Sequence, residues 1–193
     1  MKARYILILS LIVFSFQNKQ TCKSEIISYY MRKTNNNKIA VAGLMGNLFD
    51  ECRYSSIDLE SHDEDYDKYF TNKINDKVRN GKDGLQTLID KEGFGYGLAQ
   101  WTTHGRKTRL YEYAKSYWSD KKYFDIGDCE MQIRFLWKEL TERYSSVYNK
   151  WIKAKTLRES TEAIMMGYEE PYDKSEEHIK LRVSYAEKAY KDL

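Results

Sequence analysis

The chain has 193 residues, of which 41% are hydrophobic and 32% are charged, and this composition is typical of a single soluble globular domain. The formal net charge is only +3, and lysines and arginines alternate with acidic residues along most of the chain, which argues against the clustered basic surface of a nucleic-acid-binding protein. The 17 tyrosines and 4 tryptophans combine apolar bodies with polar tips, and such an excess favours either a wet binding groove or a polar-rich core.

The first 21 residues have the charge and apolar pattern of a secretory signal peptide. Lys2 and Arg4 give a positive start, and the apolar run over residues 5–16 suits a signal peptide and is short for a membrane-spanning helix. We therefore expect a protein that is secreted or delivered to a lumenal digestive compartment, without stable membrane association, whose mature domain comprises residues 22–193. Because no Ala-x-Ala cleavage site follows the run, an uncleaved signal anchor is the alternative.

Three cysteines, Cys22, Cys52 and Cys129, are too few for a fold built on disulfides. A bridge between Cys52 and Cys129 is one alternative in an oxidising compartment. None of the histidines lies in an arrangement that matches a cysteine-enzyme signature, so we expect structural roles for all three cysteines. Since no His-x-x-x-His or Cys-x-x-Cys spacing occurs, no metal or other cofactor is expected.

Apolar residues at helical spacing predict a mostly α domain after the leader. The predicted helices cover residues 24–33, 38–52, 106–118, 128–143, 156–168 and 175–190, with shorter helical turns near 65–72 and 85–89. The helix over residues 38–52 is apolar around most of its circumference, which predicts that it is central and buried. Gly93, Gly95 and Gly97 alternate with aromatic residues and predict a small hairpin or extended turn.

Glu51, at the end of the predicted central helix, is the first candidate catalytic residue. A carboxyl group there lies near the negative end of the helix dipole and beside apolar side chains, and both effects raise its pKa. A carboxyl that keeps its proton near neutral pH can deliver it to a glycosidic oxygen. The alternative is a plain solvated charge at a helix end.

The motif Gly93-Phe-Gly-Tyr-Gly-Leu-Ala-Gln-Trp101 is the second candidate part of a site. Its glycines allow the backbone to approach a ligand closely. Tyr96 and Trp101 offer faces for sugar rings, and Gln100 offers an amide donor and acceptor. The alternative is a glycine-rich turn with a core tryptophan.

Taken together, the two segments resemble the phage tail-tip lysozyme family and, more distantly, the goose-type lysozymes and lytic transglycosylases. The matching segments, which span the chain from about residue 24 to its end, are residues 41–51, 95–101, 106–107, 131–140 and 168–171. The resemblance implies a lysozyme-like α+β domain with a central buried helix and a small β-hairpin beside the substrate cleft. It also implies that Glu51 is the general acid and that Tyr96, Gln100 and Trp101 line the glycan cleft.

Hydrolysis of a glycosidic bond usually needs a second carboxylate, which in inverting enzymes activates water. In goose-type lysozymes an aspartate lies nine residues before the glutamine of the glycine-rich motif, and the corresponding position here is Lys91. Its neighbours Asp90 and Glu92 are therefore the predicted second carboxylates. Further candidates lie between Glu51 and the motif, at Asp58, Asp63, Glu64 and Asp65.

The resemblance implies a monomeric antibacterial lysozyme that binds the glycan strands of bacterial peptidoglycan. Its reaction would be cleavage of the β-1,4 bond between N-acetylmuramic acid and N-acetylglucosamine. Two alternatives stay open. One is a lytic transglycosylase that uses Glu51 alone and closes an anhydro ring, and the other is a non-catalytic glycan-binding module that keeps only the lysozyme shell.

Overall fold

The computed structural model describes residues 21–60, 62–91 and 93–193, and this part of the chain is mostly helical. The α-helices are α1 (Lys23–Lys33), α2 (Lys38–Cys52), α3 (Glu64–Arg79), α4 (Leu85–Ile89), α5 (His104–Tyr117), α6 (Cys129–Lys138), α7 (Ser145–Lys153), α8 (Leu157–Ile164) and α9 (Glu176–Lys191). Within the described ranges, no helix is both long and apolar enough to cross a bilayer. The predicted mostly helical fold is confirmed, whereas the predicted signal peptide lies almost entirely outside the described residues.

Short polar side chains fix where several helices begin. Asn37 accepts a hydrogen bond from the Ala40 amide at the start of α2, and Asp63 accepts one from the Tyr66 amide at the start of α3. These caps satisfy amide groups that have no partner within the helix. Two π-helical turns, Glu139–Arg143 and Met165–Glu169, continue directly from α6 and α8.

Helix α2 is the central element, as its apolar circumference predicted. All residues from Ala40 to Leu48 are buried, and α8 and α9 pack against it. Gly43 and Gly46 allow this close approach, since a Cβ at Gly43 would lie 2.1 Å from the Ser160 hydroxyl and one at Gly46 would lie 2.6 Å from the Arg182 carbonyl oxygen. The tight α2–α9 contact brings α9 side chains to the end of α2 that carries Glu51.

The predicted β-hairpin is wrong for the described residues, where β structure is limited to one isolated antiparallel bridge between Leu59 and Tyr96. Tyr96 and Trp101 do exchange backbone hydrogen bonds, of 3.3 and 3.0 Å, around a tight loop. The chain then enters α5 at His104, so too few residues remain to form a second strand. The glycine-rich motif is therefore a compact loop held against the segment around Leu59.

The disulfide joins Cys22 to Cys129, with a Cα–Cα distance of 5.6 Å, and thereby links the start of α1 to the start of α6. The alternative bridge between Cys52 and Cys129 does not form. Cys52 is a buried free thiol whose Sγ lies 3.2 Å from the Leu98 carbonyl oxygen, and burial raises its pKa well above the ordinary value. A thiol in this environment is a packing group and not a nucleophile.

Candidate active site

An open cleft of about 770 Å³ lies between the C-terminal end of α2, the glycine-rich loop and the segment that leads into α9. Its charged lining comprises Asp50, Glu51, Glu60, Arg106, Arg109, Glu169, Glu170 and Arg182. Among the described residues, no group of three or more histidine, cysteine and acidic side chains is arranged to hold a metal ion. Carboxyl groups and guanidinium groups that converge in one depression are suited to a polar substrate and to proton transfer.

Glu51 lies in this cleft with about 16% of its side chain exposed. Its Oε1 accepts a 2.5 Å hydrogen bond from Nη2 of Arg182, a side chain that is 2% exposed. The carboxyl is thus held in one orientation by a charge-assisted bond, and it does not stand alone among apolar side chains as the sequence suggested. Arg182 is the first residue of the site that the sequence did not identify.

Arg182 binds several side chains of α2 at once. Its Nη1 donates to Oδ1 of Asn47 at 2.8 Å, and its Nε lies 3.0 Å from Oδ2 of Asp50. Residues 47, 50 and 51 share one side of the last turns of α2 because residues three and four apart are neighbours on a helix. One guanidinium from α9 therefore orders three side chains at the C-terminal end of α2.

His178 adds a titratable group beside this cluster. Its Nε2 lies 2.7 Å from Oδ2 of Asp50, and its Nδ1 lies 2.8 Å from the backbone oxygen of Asp173. Burial lowers the pKa of His178, but the hydrogen bonds to Asp50 and Asp173 favour the charged ring, so that the net effect is a raised pKa. The imidazole is therefore protonated over a wider pH range than an exposed histidine.

Glu169 is a second carboxyl-bearing residue that lines the cleft. Its Oε1 is buried and has no hydrogen-bond partner among the described residues. Burial raises the pKa of Glu169 well above its ordinary value, and the charge of Glu51 raises it further, while Arg106 and Arg182 oppose the shift. Glu169 consequently favours its protonated form.

The wall around Trp101 is held together by Glu139, which is 2% exposed. Its Oε2 accepts hydrogen bonds from Nε1 of Trp101 at 2.9 Å and from the Tyr168 hydroxyl at 2.7 Å. Arg106 and Arg109 complete its contacts, at 3.4 and 3.2 Å. A single carboxylate thus joins the glycine-rich loop, α5 and the π-helical turn that carries Tyr168.

The three residues predicted to bind sugar occupy different environments. Gln100 lines the cleft, with a left-handed backbone (φ 40°), and its Nε2 donates to Oδ2 of Asp58 at 2.9 Å. Tyr96 and Trp101 are fully buried, and the Tyr96 hydroxyl contacts the Thr71 hydroxyl at 2.9 Å. Neither aromatic side chain offers a face to the cleft in this structure, so their hydrogen bonds point to a role in shaping the loop.

Of the two predicted second carboxylates, only Asp90 lies within the described residues, and it is not in the cleft. Asp90 is exposed, accepts a hydrogen bond from Nε2 of Gln86 at 2.5 Å and is not among the residues that line the cleft. Glu92 falls outside the described residues. The cleft instead contains Glu60, whose Oε2 accepts a 2.9 Å hydrogen bond from the Gly95 amide.

Two of the residues that sequence reasoning missed had detectable signals. Arg182 interrupts the apolar stripe of the last helix between Ile179 and Ala186, and a charge at such a position requires a buried partner. Glu169 lies in the Tyr168–Pro171 stretch that carried part of the family resemblance. No pattern in the sequence distinguished Glu60 from the other acidic residues around it.

The family model described as phage tail lysozyme matches residues 22–193, which is nearly the whole chain. No curated protein and no solved structure matches the chain. The matched range begins at the disulfide-bonded Cys22 and includes every described helix and all the residues of the cleft. The chain therefore belongs to the phage tail lysozyme family.

Proposed function

We propose that this protein is a secreted glycosidase that cleaves the β-1,4 bond between N-acetylmuramic acid and N-acetylglucosamine in bacterial peptidoglycan, with Glu51 as general acid. Membership of the phage tail lysozyme family supports peptidoglycan degradation. The observation that carries the assignment of the acid is the position of Glu51, at the end of the central helix and within the charged cleft.

Glu51 is suited to the role of the acid because its orientation is fixed. Arg182 binds Oε1, and we assign Oε2 to the glycosidic oxygen of the substrate. In this mechanism the proton of Glu51 moves to that oxygen as its bond to the anomeric carbon breaks. The adjoining wall, with Gln100 and Arg106, offers amide and guanidinium donors to the polar groups of the sugars.

Glu60 is our candidate for the carboxylate that activates water. It lies in the same cleft as Glu51 but on the loop that packs against the glycine-rich motif. Gly95 donates to only one of its oxygens, Oε2, which leaves Oε1 for water. This assignment replaces Asp90, which is outside the cleft.

The disulfide supports the secreted location. Such bonds persist in oxidising compartments and are rare in the cytosol. The Cys22–Cys129 bond starts at the first residue of the proposed mature domain, so the leader can be removed without breaking it. We propose that the mature protein acts as a monomer on the glycan strands.

The test is digestion of purified peptidoglycan by the oxidised 22–193 protein, followed by mass spectrometry of the fragments. We expect reducing muramic ends from the wild type and at least about a 100-fold lower rate from Glu51→Gln, since the loss of a general acid typically has this effect. Glu177→Gln, which removes an exposed carboxyl from the first turn of α9, is the matched control.

Other products would lead to other conclusions. Anhydro ends in place of reducing ends would replace hydrolysis by lytic transglycosylation. Equal rates for the wild type and Glu51→Gln would remove Glu51 from the mechanism. Binding to cell walls without any release of fragments would make the protein a non-catalytic glycan-binding module.

A further inference from the structure

Glu169 has a rigid position in the wall of the cleft. It ends the π-helical turn Met165–Glu169, and the next residue, Glu170, adopts a left-handed backbone (φ 50°) before Pro171. Its neighbour Tyr168 is anchored from the other side by the hydroxyl contacts to Glu139 and to Trp101. The backbone that carries Glu169 is therefore fixed by buried contacts and not by the carboxyl itself.

One oxygen of the Glu169 carboxyl, Oε1, has no hydrogen-bond partner among the described residues. A buried carboxylate oxygen without a hydrogen bond is costly, whereas the neutral acid avoids most of this cost. Nη2 of Arg106 contacts Glu139, and its guanidinium lies 4.5 Å above the Tyr168 ring, while its buried Nε has no partner among the described residues. Arg182 is bound to side chains of α2. The titratable and charged groups that face Glu169 from the surrounding elements are Tyr30, Glu51, Arg106, Glu139 and Arg182.

The two carboxyls of the cleft therefore differ in kind. Glu51 receives a charge-assisted hydrogen bond from Arg182, whereas Glu169 is partly buried and its buried Oε1 has no partner among the described residues. The charge of Glu51 also raises the pKa of Glu169. Environments that separate two neighbouring carboxyls in this way assign the acid and base roles in many enzymes. A buried carboxyl oxygen that forms no hydrogen bond among the described residues calls for an explanation.

We propose that Glu169 is the proton-supplying residue of this cleft, and that it acts through Glu51. The inference rests on the proposed glycosidase function. Before the substrate binds, the Glu51–Glu169 pair carries one proton, which Glu169 holds. This proton moves to Glu51 when the substrate occupies the cleft, and Glu51 delivers it to the glycosidic oxygen as the bond from that oxygen to the anomeric carbon breaks. Glu60 takes one proton from the water that adds to the anomeric carbon and releases it to the solvent, from which the pair regains its proton.

The decisive variant is Glu169→Gln, because its side chain has the shape of the neutral acid but has no carboxyl proton to transfer. We expect its kcat on purified peptidoglycan to fall by at least about 100-fold, with little change in KM and without the alkaline limb of the wild-type pH profile. Glu177→Gln is the matched control and retains the wild-type rate and profile. A Glu169→Gln rate and profile equal to those of the wild type would overturn the inference.

A second readout follows the proton without requiring activity. The raised pKa of Glu169 means that the folded state holds a proton that the unfolded state releases above about pH 4.3. As the pH rises above about 4.3, the wild type therefore loses stability relative to Glu169→Gln. The unfolding equilibrium constant of the wild type, divided by that of the variant, rises by up to about tenfold per pH unit. Denaturant unfolding between pH 4 and 7 measures this ratio, and a flat ratio would overturn the inference.

The outcomes separate this inference from the proposed function. If the wild type is inactive but the ratio of unfolding equilibrium constants depends on pH, the proposed glycosidase function is wrong, and the role of Glu169 in it is wrong as well. An active wild type with a fully active Glu169→Gln would retain the glycosidase and remove only the Glu169 role. If the Glu169→Gln protein does not fold, infrared spectroscopy of the wild type provides the test. The absence of the carbonyl band of a protonated carboxyl at neutral pH would contradict the inference.

Discussion

At the scale of single residues, Arg182 is a buried side chain that contacts the acidic residues of the cleft. It lies on the buried side of α9, and its guanidinium binds Asn47, Asp50 and Glu51 of α2. A planar guanidinium presents its donors in a fixed fork, which lysine does not reproduce. The orientation of Glu51 therefore depends on a residue from the opposite end of the domain sequence.

We expect Arg182→Met to lower the free energy of unfolding by about 3 kcal/mol, because it leaves partly buried carboxylates without their cation. The activity on peptidoglycan should fall at least tenfold through the loss of the Glu51 orientation. Denaturant unfolding and a wall-clearing assay measure the two effects. Arg158→Met is the control, since Arg158 is 46% exposed and solvent screens its ion pairs, so a much smaller loss of stability is expected.

Of the residues predicted for the site, Glu51 and Gln100 line the cleft, whereas the two aromatic residues of the motif are fully buried. Tyr96 and Trp101 have polar tips, and such residues serve equally well in a groove and in a polar-rich core. The choice depends on the polar partners that the fold supplies, here the Thr71 hydroxyl and the Glu139 carboxylate. Both partners lie at least 25 residues away in sequence, so spacing within the motif could not reveal them.

At the scale of elements, the contact between α2 and α9 determines the geometry of the site. Gly46 faces backbone atoms of α9, and a Cβ there would lie 2.6 Å from the Arg182 oxygen and 2.8 Å from the Ala186 nitrogen. Backbone atoms cannot rotate away as a flexible side chain can. Any larger residue at this position must therefore separate the two helices.

We expect Gly46→Ala to destabilise the protein by about 1–3 kcal/mol, which is the usual cost of overpacking, despite the better helix propensity of alanine. The displacement of α9 should also lower the activity, because Arg182 moves with the helix. Gly105→Ala is the matched control in the first turn of α5, where the nearest atom lies 3.4 Å from the added Cβ. A Gly46→Ala protein as stable as the control would contradict a rigid α2–α9 contact.

Helix prediction succeeded where apolar periodicity was strong and failed where it was weak. The apolar run of α2 predicted both ends of this helix correctly. Helix α7 was not predicted, because Val147 and Trp151 are its only buried residues and form too short an apolar pattern. Helix α3 is longer than its predicted turn because Phe70, Ile74 and Val78 form a buried stripe within a very polar segment. The missing β-hairpin reflects the early start of α5 after the glycine-rich loop.

At the scale of the whole molecule, the Cys22–Cys129 bond closes most of the domain into one loop, with a separation of 107 residues. Bonds across loops of this length stabilise mainly by restricting the unfolded chain. We expect replacement of both cysteines by serine to lower the free energy of unfolding by about 2–5 kcal/mol and to leave the cleft unchanged.

Thermal unfolding with and without reductant measures this contribution in the wild type. The Cys52→Ser protein provides the control, because it retains the disulfide and loses only a buried thiol. Equal melting temperatures with and without reductant in both proteins would contradict a stabilising bond. Loss of activity on reduction at temperatures where the fold persists would contradict the independence of the cleft from this bond.

The same bond determines where any upstream segment leaves the domain. Cys22 is fully buried, and its amide donates to the Tyr54 backbone oxygen at 2.9 Å. The disulfide-bonded Cys22 is not among the residues that line the cleft. A carrier or an affinity tag fused directly before Cys22 would therefore be attached away from the cleft, so the design of surface-tethered or tandem versions can start at this position.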